Sequence, residues 1–104
     1  MEISIKRADL FTMVVKAVGR LDLDSAVEYG TTITDAMYDS DEDVKSLILD
    51  FSEITFISSY GLKVILELYK KMKDKNGEFK IKNVDEQIKK SFNLVGFNKF
   101  LVIE

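Results

Sequence analysis

No cysteine, histidine or proline occurs among the 104 residues. Without cysteine there is no disulfide, so the fold makes no demand for an oxidising compartment. Without histidine or cysteine, Ser–His and Cys–His nucleophilic catalysis is excluded within this chain, as are zinc sites built from those ligands. Without proline, helices must be stopped by glycine and by capping side chains. Long hydrophobic runs are missing too: no apolar stretch approaches the length needed to cross a bilayer. The start, Met1-Glu2-Ile3-Ser4-Ile5-Lys6, alternates polar and apolar residues, unlike a secretory signal. The expectation is a cytoplasmic protein without a membrane span.

What is present fits one compact domain over residues 1–104. Hydrophobic residues make up 46% and charged residues 32% of the chain, enough apolar side chains for a single core of modest depth. The formal net charge is −3, and no run of Lys or Arg exceeds two. Both argue against a nucleic-acid partner, which rewards a basic face.

Hydrophobic periodicity sets the expected elements. Residues 2–6 alternate as a strand, with Ile3 and Ile5 on one face. Ala8-Asp9 turns the chain into a second, β-branched strand over 11–18, forming a hairpin that Gly19 ends. Asp22, Asp24 and Ser25 offer capping oxygens to a helix reaching Tyr38, with Ser25 and Glu28 at capping-box spacing. Ala26, Ile33 and Met37 are its inward candidates, while Gly30 and several threonines weaken it. The acidic stretch 39–43 reads as a solvated connection, with a partner surface as the alternative.

Leu47-Ile48-Leu49 reads as a central strand covered on both faces, with Asp50 at its carboxyl end. The strongest helix spans 60–75, with Leu62, Ile65, Leu66, Tyr69 and Met72 at helical spacing and Lys63, Glu67 and Lys71 on another face. Asn76-Gly77 stops it. A strand over 78–82, a helix from a cap at Asp85 to Leu94, and a strand over 100–103 complete the chain. The order β β α β α β α β implies an α/β fold, a mixed β-sheet with an N-terminal hairpin and packed helices.

The informative segment is Phe56-Ile57-Ser58-Ser59-Tyr60-Gly61-Leu62. Its two serines fall where the strongest helix begins. Unpaired backbone amides there accept a capping oxygen, worth roughly 1 kcal/mol. The same amides and the helix dipole also favour an added phosphate. The residues alone leave both roles open.

This segment resembles the signature of the STAS family, the domain shared by sulphate transporters and anti-sigma factor antagonists. In that pattern an apolar pair precedes Asp or Ser, the phosphorylated Ser or Thr, a small residue and Gly-Leu. Ser59 falls at the phosphorylated position and Ser58 before it. Gly19-Arg20-Leu21-Asp22 resembles the family's turn before the first helix. Leu47 to Ser52 resembles the strand leading to the phosphosite, and Ile88 to Phe100 the late helix. Tyr60 departs from the pattern, standing where a small residue is usual. The sequence stops after the last strand, where many relatives continue into a helix. An exposed apolar strip is therefore expected, with a monomer or weak homodimer.

The resemblance implies a binding switch rather than an enzyme. It implies an anti-sigma factor with serine kinase activity as partner, phosphorylation at Ser59, resetting by a PP2C-type phosphatase, and control of sigma-factor-dependent transcription. Ser58, Tyr60, Asp22 and Asp50 are the expected partner-binding residues, with turn or cap roles as the alternatives for Ser58, Asp22 and Asp50. No cofactor or metal is expected. The family also includes accessory subunits of lipid-transport ATPases and parts of signalling scaffolds. An enzyme built on Asp22 and Asp50 as an acid–base pair finds no support in their context, and no Gly-rich phosphate loop is present.

Overall fold

Strand periodicity and two long amphipathic stretches produce a sheet with helices on one side. The structure, a computed structural model, describes residues 1–38 and 43–104. In chain order the elements are β1 (Glu2–Arg7), β2 (Thr12–Leu21), α1 (Leu23–Tyr38), β3 (Ser46–Asp50), β4 (Ile54–Ile57), α2 (Ser59–Asp74), β5 (Glu78–Lys82), α3 (Glu86–Leu94), a 3-10 turn (Phe97–Lys99) and β6 (Val102–Ile103). The sheet order is β1-β2-β3-β5-β6, with β4 paired to β2. Among the described residues only the β1–β2 pair is antiparallel. The mixed α/β architecture is the expected one, with β4 as an additional short strand.

Each sheet face follows the two-residue alternation of a strand. Met13, Val15 and Ala17 of β2, Leu47 and Leu49 of β3, and Phe79 and Ile81 of β5 are buried. They meet Ala26, Tyr29, Ile33 and Met37 of α1 and Ile65, Leu68 and Met72 of α2. Aromatic rings extend this core toward the last elements: Tyr69 lies 5.9 Å from Phe79 and 5.2 Å from Phe100, and Phe92 lies 6.0 Å from Phe51. The opposite sheet face carries Val14, Ile48 and Lys80, aligned across β2, β3 and β5 and each only half-buried. The apolar run of β3 is therefore not covered on both faces. Ile48 is only half-buried, whereas Leu47 and Leu49 are fully buried.

Several boundaries differ from the sequence expectation for identifiable reasons. Gly19 does not end β2. It sits inside the strand at φ +118°, where the β2–β4 register shifts, so it forms an irregularity that lets β2 continue to Leu21. The start of α1 is not closed by Ser25 and Glu28. The Asp22 amide donates to Ser25 Oγ (3.0 Å), and Ser25 Oγ donates to Asp22 Oδ1 (2.9 Å), while Glu28 pairs with the Met1 ammonium (3.0 Å). The last strand shrinks to Val102–Ile103 because Phe100 joins the aromatic cluster and Leu101 is buried.

At the end of α2 the left-handed residue is Asn76 (φ 56°). Gly77 serves close packing instead, since a Cβ there would lie 2.8 Å from the Lys45 carbonyl. The Asp85 cap stands where expected, and Gly96, in the left-handed region at φ 79°, follows the end of α3. The acidic run from Asp39 to Glu42 lies outside the described residues. Among the described residues no helix is long and apolar enough to cross a membrane.

Candidate functional site

The site is built where β2 and β4 deliver their carboxyl ends to the starts of α1 and α2. The parallel β2–β4 pairing sets Leu21 opposite Ile57, so the next residues, Asp22 and Ser58, emerge side by side. Ser58 is the N-cap of α2. Its Oγ accepts from the Gly61 amide (3.2 Å) and donates to the Leu21 carbonyl (2.8 Å), which also receives the Ser58 amide (2.9 Å). This hydroxyl is half-buried and fully engaged. Its role in the fold is to tie the helix start to the end of β2.

Ser59 is the first residue of α2. It is exposed, and its hydroxyl has no hydrogen-bond partner among the described residues. Gly61 N–H is held by the cap and Leu62 N–H by the Ser58 carbonyl (2.9 Å). The amides of Ser59 and Tyr60 have no such intrahelical acceptor, as at any helix start. An exposed hydroxyl thus stands beside amides and a dipole that favour negative charge.

Gly61 makes this approach possible. A Cβ there would lie 2.6 Å from Ile57 Cγ1 and 3.1 Å from the Leu21 carbonyl. The first turn of α2 therefore rests directly on the strand ends. Exposed apolar side chains lie at the starts of both α1 and α2. Tyr60 is 52% exposed, and Leu23 and Val27 on the first turns of α1 are 50% and 59% exposed. The Arg20 guanidinium lies over the Phe56 ring, 4.1 Å from its centroid. Between α1 and α2 runs a groove of about 320 Å³, lined among others by Val27, Gly30, Thr31 and Val64.

Asp22 lies in the same cluster, exposed at the strand end. The hydrogen bonds from the Ser25 side chain and then its amide, together with the nearby Arg20 charge, hold its carboxyl below the usual range. Asp50 is placed elsewhere. It ends β3 opposite Lys16 of β2, five residues short of Leu21, or roughly 16 Å along the strand at about 3.3 Å per residue. There it accepts from the Ser52 amide (2.9 Å) and Asn83 Nδ2 (3.0 Å). Partial burial pushes its carboxyl up. The hydrogen bonds from Asn83 and Ser52, with the Lys82 charge, outweigh that and leave it lowered. So Asp22, Ser58, Ser59 and Tyr60 are brought together, and Asp50 stands apart with Asn83.

Sequence reasoning did not find the Arg20–Phe56 pair or the half-exposed Leu23 and Val27. Their signal was weak, since each reads as an ordinary strand or helix residue until β4 is placed beside β2. It also missed Tyr29, whose hydroxyl is buried without a partner among the described residues. Burial, with the Asp50 charge adding to it, drives that phenol above its usual range. Among the described residues, no three His, Cys, Asp or Glu converge to hold a metal ion.

A family model of the STAS domain matches residues 2–104. The anti-sigma factor antagonist SpoIIAA in its unphosphorylated form superimposes with a TM-score of 0.83 at 18% identity, covering 99% of this chain and 88% of that one. SpoIIAA of Bacillus in its phosphorylated form gives 0.76 at 18% identity, with coverage of 99% and 91%. An anti-sigma factor antagonist from Mycobacterium paratuberculosis gives 0.82 at 24% identity, with coverage of 98% and 85%.

Proposed function

The chain belongs to the STAS-domain family, and from that premise we propose that it is an anti-sigma factor antagonist switched by phosphorylation of Ser59. One observation carries the reading: Ser59 is exposed, and without a hydrogen-bond partner among the described residues, at the first position of α2, directly after a serine whose hydroxyl is locked into the cap. A kinase can reach the first hydroxyl without unfolding anything. It could reach the second only by breaking the helix start.

Unphosphorylated protein binds its anti-sigma factor through the surface around Ser59, with Tyr60, Ser58 and Asp22 at its centre. Leu23 and Val27 give that surface an apolar component. A phosphate on Ser59 adds about −1.5 to −2 charges. In free protein these are accommodated by the helix amides. In the docked complex the same dianion would lose its hydration against a partner, and affinity falls. The anti-sigma factor is itself the serine kinase in this scheme, a PP2C-type phosphatase resets the antagonist, and the setting is the cytoplasm. The role is regulatory rather than enzymatic; the fold neighbour SpoIIAA, an anti-sigma factor antagonist, is itself known in both phosphorylation states.

A second reading, an accessory STAS subunit of a lipid-transport ATPase or a signalling scaffold, rests on one residue. Tyr60, half exposed directly after Ser59, is bulkier than the family pattern and crowds a kinase's approach. Binding measurements separate the two. The purified chain is titrated against the serine kinases of the anti-sigma type from its source organism. The antagonist reading expects the unmodified chain to bind one of them and Ser59→Glu to bind at least tenfold more weakly. Equal binding by both chains, or binding by neither, overturns it.

A further inference from the structure

Sheet edges are a hazard that proteins ordinarily blunt with short strands, proline, bulges or a covering element. At one edge of this sheet β6 is a two-residue strand. At the other, β1 runs six residues, Glu2–Arg7, contains no proline, and pairs with β2 without a register shift. Among the described residues no strand pairs with its outer side.

The hydrogen-bond parity of that edge can be read from the hairpin. The Ala8 amide donates to the Thr12 carbonyl (3.0 Å), so Ala8–Thr12 is a hydrogen-bonded pair in the register of Glu2↔Val18 and Arg7↔Met13. Antiparallel pairs alternate between bonded and non-bonded. Glu2, Ser4 and Lys6 therefore direct their amides and carbonyls to β2, and Ile3, Ile5 and Arg7 direct theirs outward. Bonds on the far side of β2 agree: the Phe11 carbonyl receives the Ser46 amide (3.1 Å), and the Gly19 amide reaches the Glu53 carbonyl (3.0 Å). The odd residues of β2 thus face β3 and β4, and its even residues face β1.

We infer that β1 is a docking edge for a second copy of this chain, pairing with the partner's β1 antiparallel about a two-fold axis at Ser4. Outward groups on odd residues allow only registers that oppose odd with odd. The one centred on Ser4 opposes Ile3 with Ile5 twice and Glu2 with Lys6 twice. Moving the centre to Ile3 or Ile5 sets Glu2 or Lys6 against Ser4 instead. The central register is the one in which opposite charges meet, and this self-complementarity is what selects a second copy as the occupant.

Side-chain placement agrees with it. Ile3 and Ile5 lie beside Ala17 and Val15 on the helix-covered face and are only partly buried at the open edge. Each would be covered by its counterpart. α1 packs over β2 rather than over the edge. At a strand spacing of about 4.8 Å, two such helices would lie about 14 Å apart across the axis. That exceeds the roughly 8–10 Å of packed helices, so they do not collide. The product is a sheet continuous through two protomers, held by four backbone hydrogen bonds of Ile3 and Ile5. The Ser59 site stays open in it, so this inference does not depend on the phosphorylation reading.

The chain has no cysteine, which makes the register directly testable. Ser4 would face its own counterpart as a non-bonded pair, about 4.5 Å between Cα atoms, within disulfide range. Ser4→Cys is expected to oxidise to a covalent dimer, and a control Ser52→Cys on an exposed turn is not. In sedimentation velocity the unmodified chain should show a concentration-dependent dimer. Glu2→Lys should weaken it about tenfold, because each charge pair occurs twice by symmetry. Glu2→Lys/Lys6→Glu should restore it. A monomer at every concentration up to millimolar, or a Ser4→Cys chain that cross-links no better than the control, overturns the inference. A double variant as weak as the single one does the same for the register.

Discussion

Replacing Ser58 and Ser59 by alanine, one at a time, separates the two hydroxyls at the start of α2. Ser58 Oγ makes two hydrogen bonds, from the Gly61 amide (3.2 Å) and to the Leu21 carbonyl (2.8 Å). Loss of an N-cap costs about 1 kcal/mol. Loss of the second bond adds roughly 0.5 kcal/mol, at the low end for a neutral bond, because the Leu21 carbonyl keeps the Ser58 amide at 2.9 Å and is not orphaned. Ser58→Ala should therefore lower stability by about 1.5 kcal/mol, or roughly 6–10 °C in Tm for a domain of this size. Ser59→Ala removes an exposed group with no partner among the described residues, so it should stay within about 0.5 kcal/mol. Thermal and urea unfolding followed by circular dichroism measure both. Equal losses, or a larger loss for Ser59, would refute the assignment of cap and free hydroxyl.

Three other outcomes follow from the same geometry. Ser59→Glu should keep or slightly raise thermal stability, by about 0.3–1 kcal/mol at low salt through the helix dipole, while losing partner binding; a drop in Tm would show that negative charge is not accommodated there. Gly61→Ala should destabilise by about 1 kcal/mol in urea unfolding, because an overpacking cost of about 1–3 kcal/mol against Ile57 Cγ1 and Leu21 exceeds the gain in helix propensity of about 1 kcal/mol; a more stable variant would contradict the close approach. Asp50 has a folded-state pKa below its reference value of 3.8. Its contribution is therefore fully present above that value and lost as pH falls through the lowered pKa. Carboxyl NMR titration should place its midpoint below 3.8, and Asn83→Ala should raise it; a midpoint at or above 3.8 in the unmodified chain would show that the hydrogen bonds do not outweigh burial.

How much was legible in the sequence depends on what each element answers to. The β1–β2 hairpin, α2, β5 and α3 follow from residue periodicity and local caps, and they stand within a residue or so of expectation except at the end of β2. β4 was invisible because its burial runs buried, exposed, exposed, buried over Ile54–Ile57, which has no two-residue period. Its pairing with β2, a long-range event, decides that strand. The same pairing carries β2 past Gly19 and brings Asp22 beside Ser58. Leu68 was missed as an inward residue of α2, and it packs in the core where α1 crosses.

Of the candidate residues, two short motifs single out Ser58, Ser59, Tyr60 and Asp22, and the sequence expectation groups Asp50 with them. The distinct states of the two serines were not legible, because they depend on the Leu21 carbonyl, a backbone atom 37 residues away in sequence. Asp50 could be read as the end of β3. Its distance from the cluster follows from strand register, which side-chain types do not reveal when Lys16 is simply the facing residue.

Phosphosite mapping of the protein isolated from its native host, in growth and under stress, tests the central claim most directly. The account predicts a mass increase of one phosphate that varies with condition and maps to Ser59. A chain unmodified under every condition, or a phosphate on Ser58 or Tyr60, would contradict it.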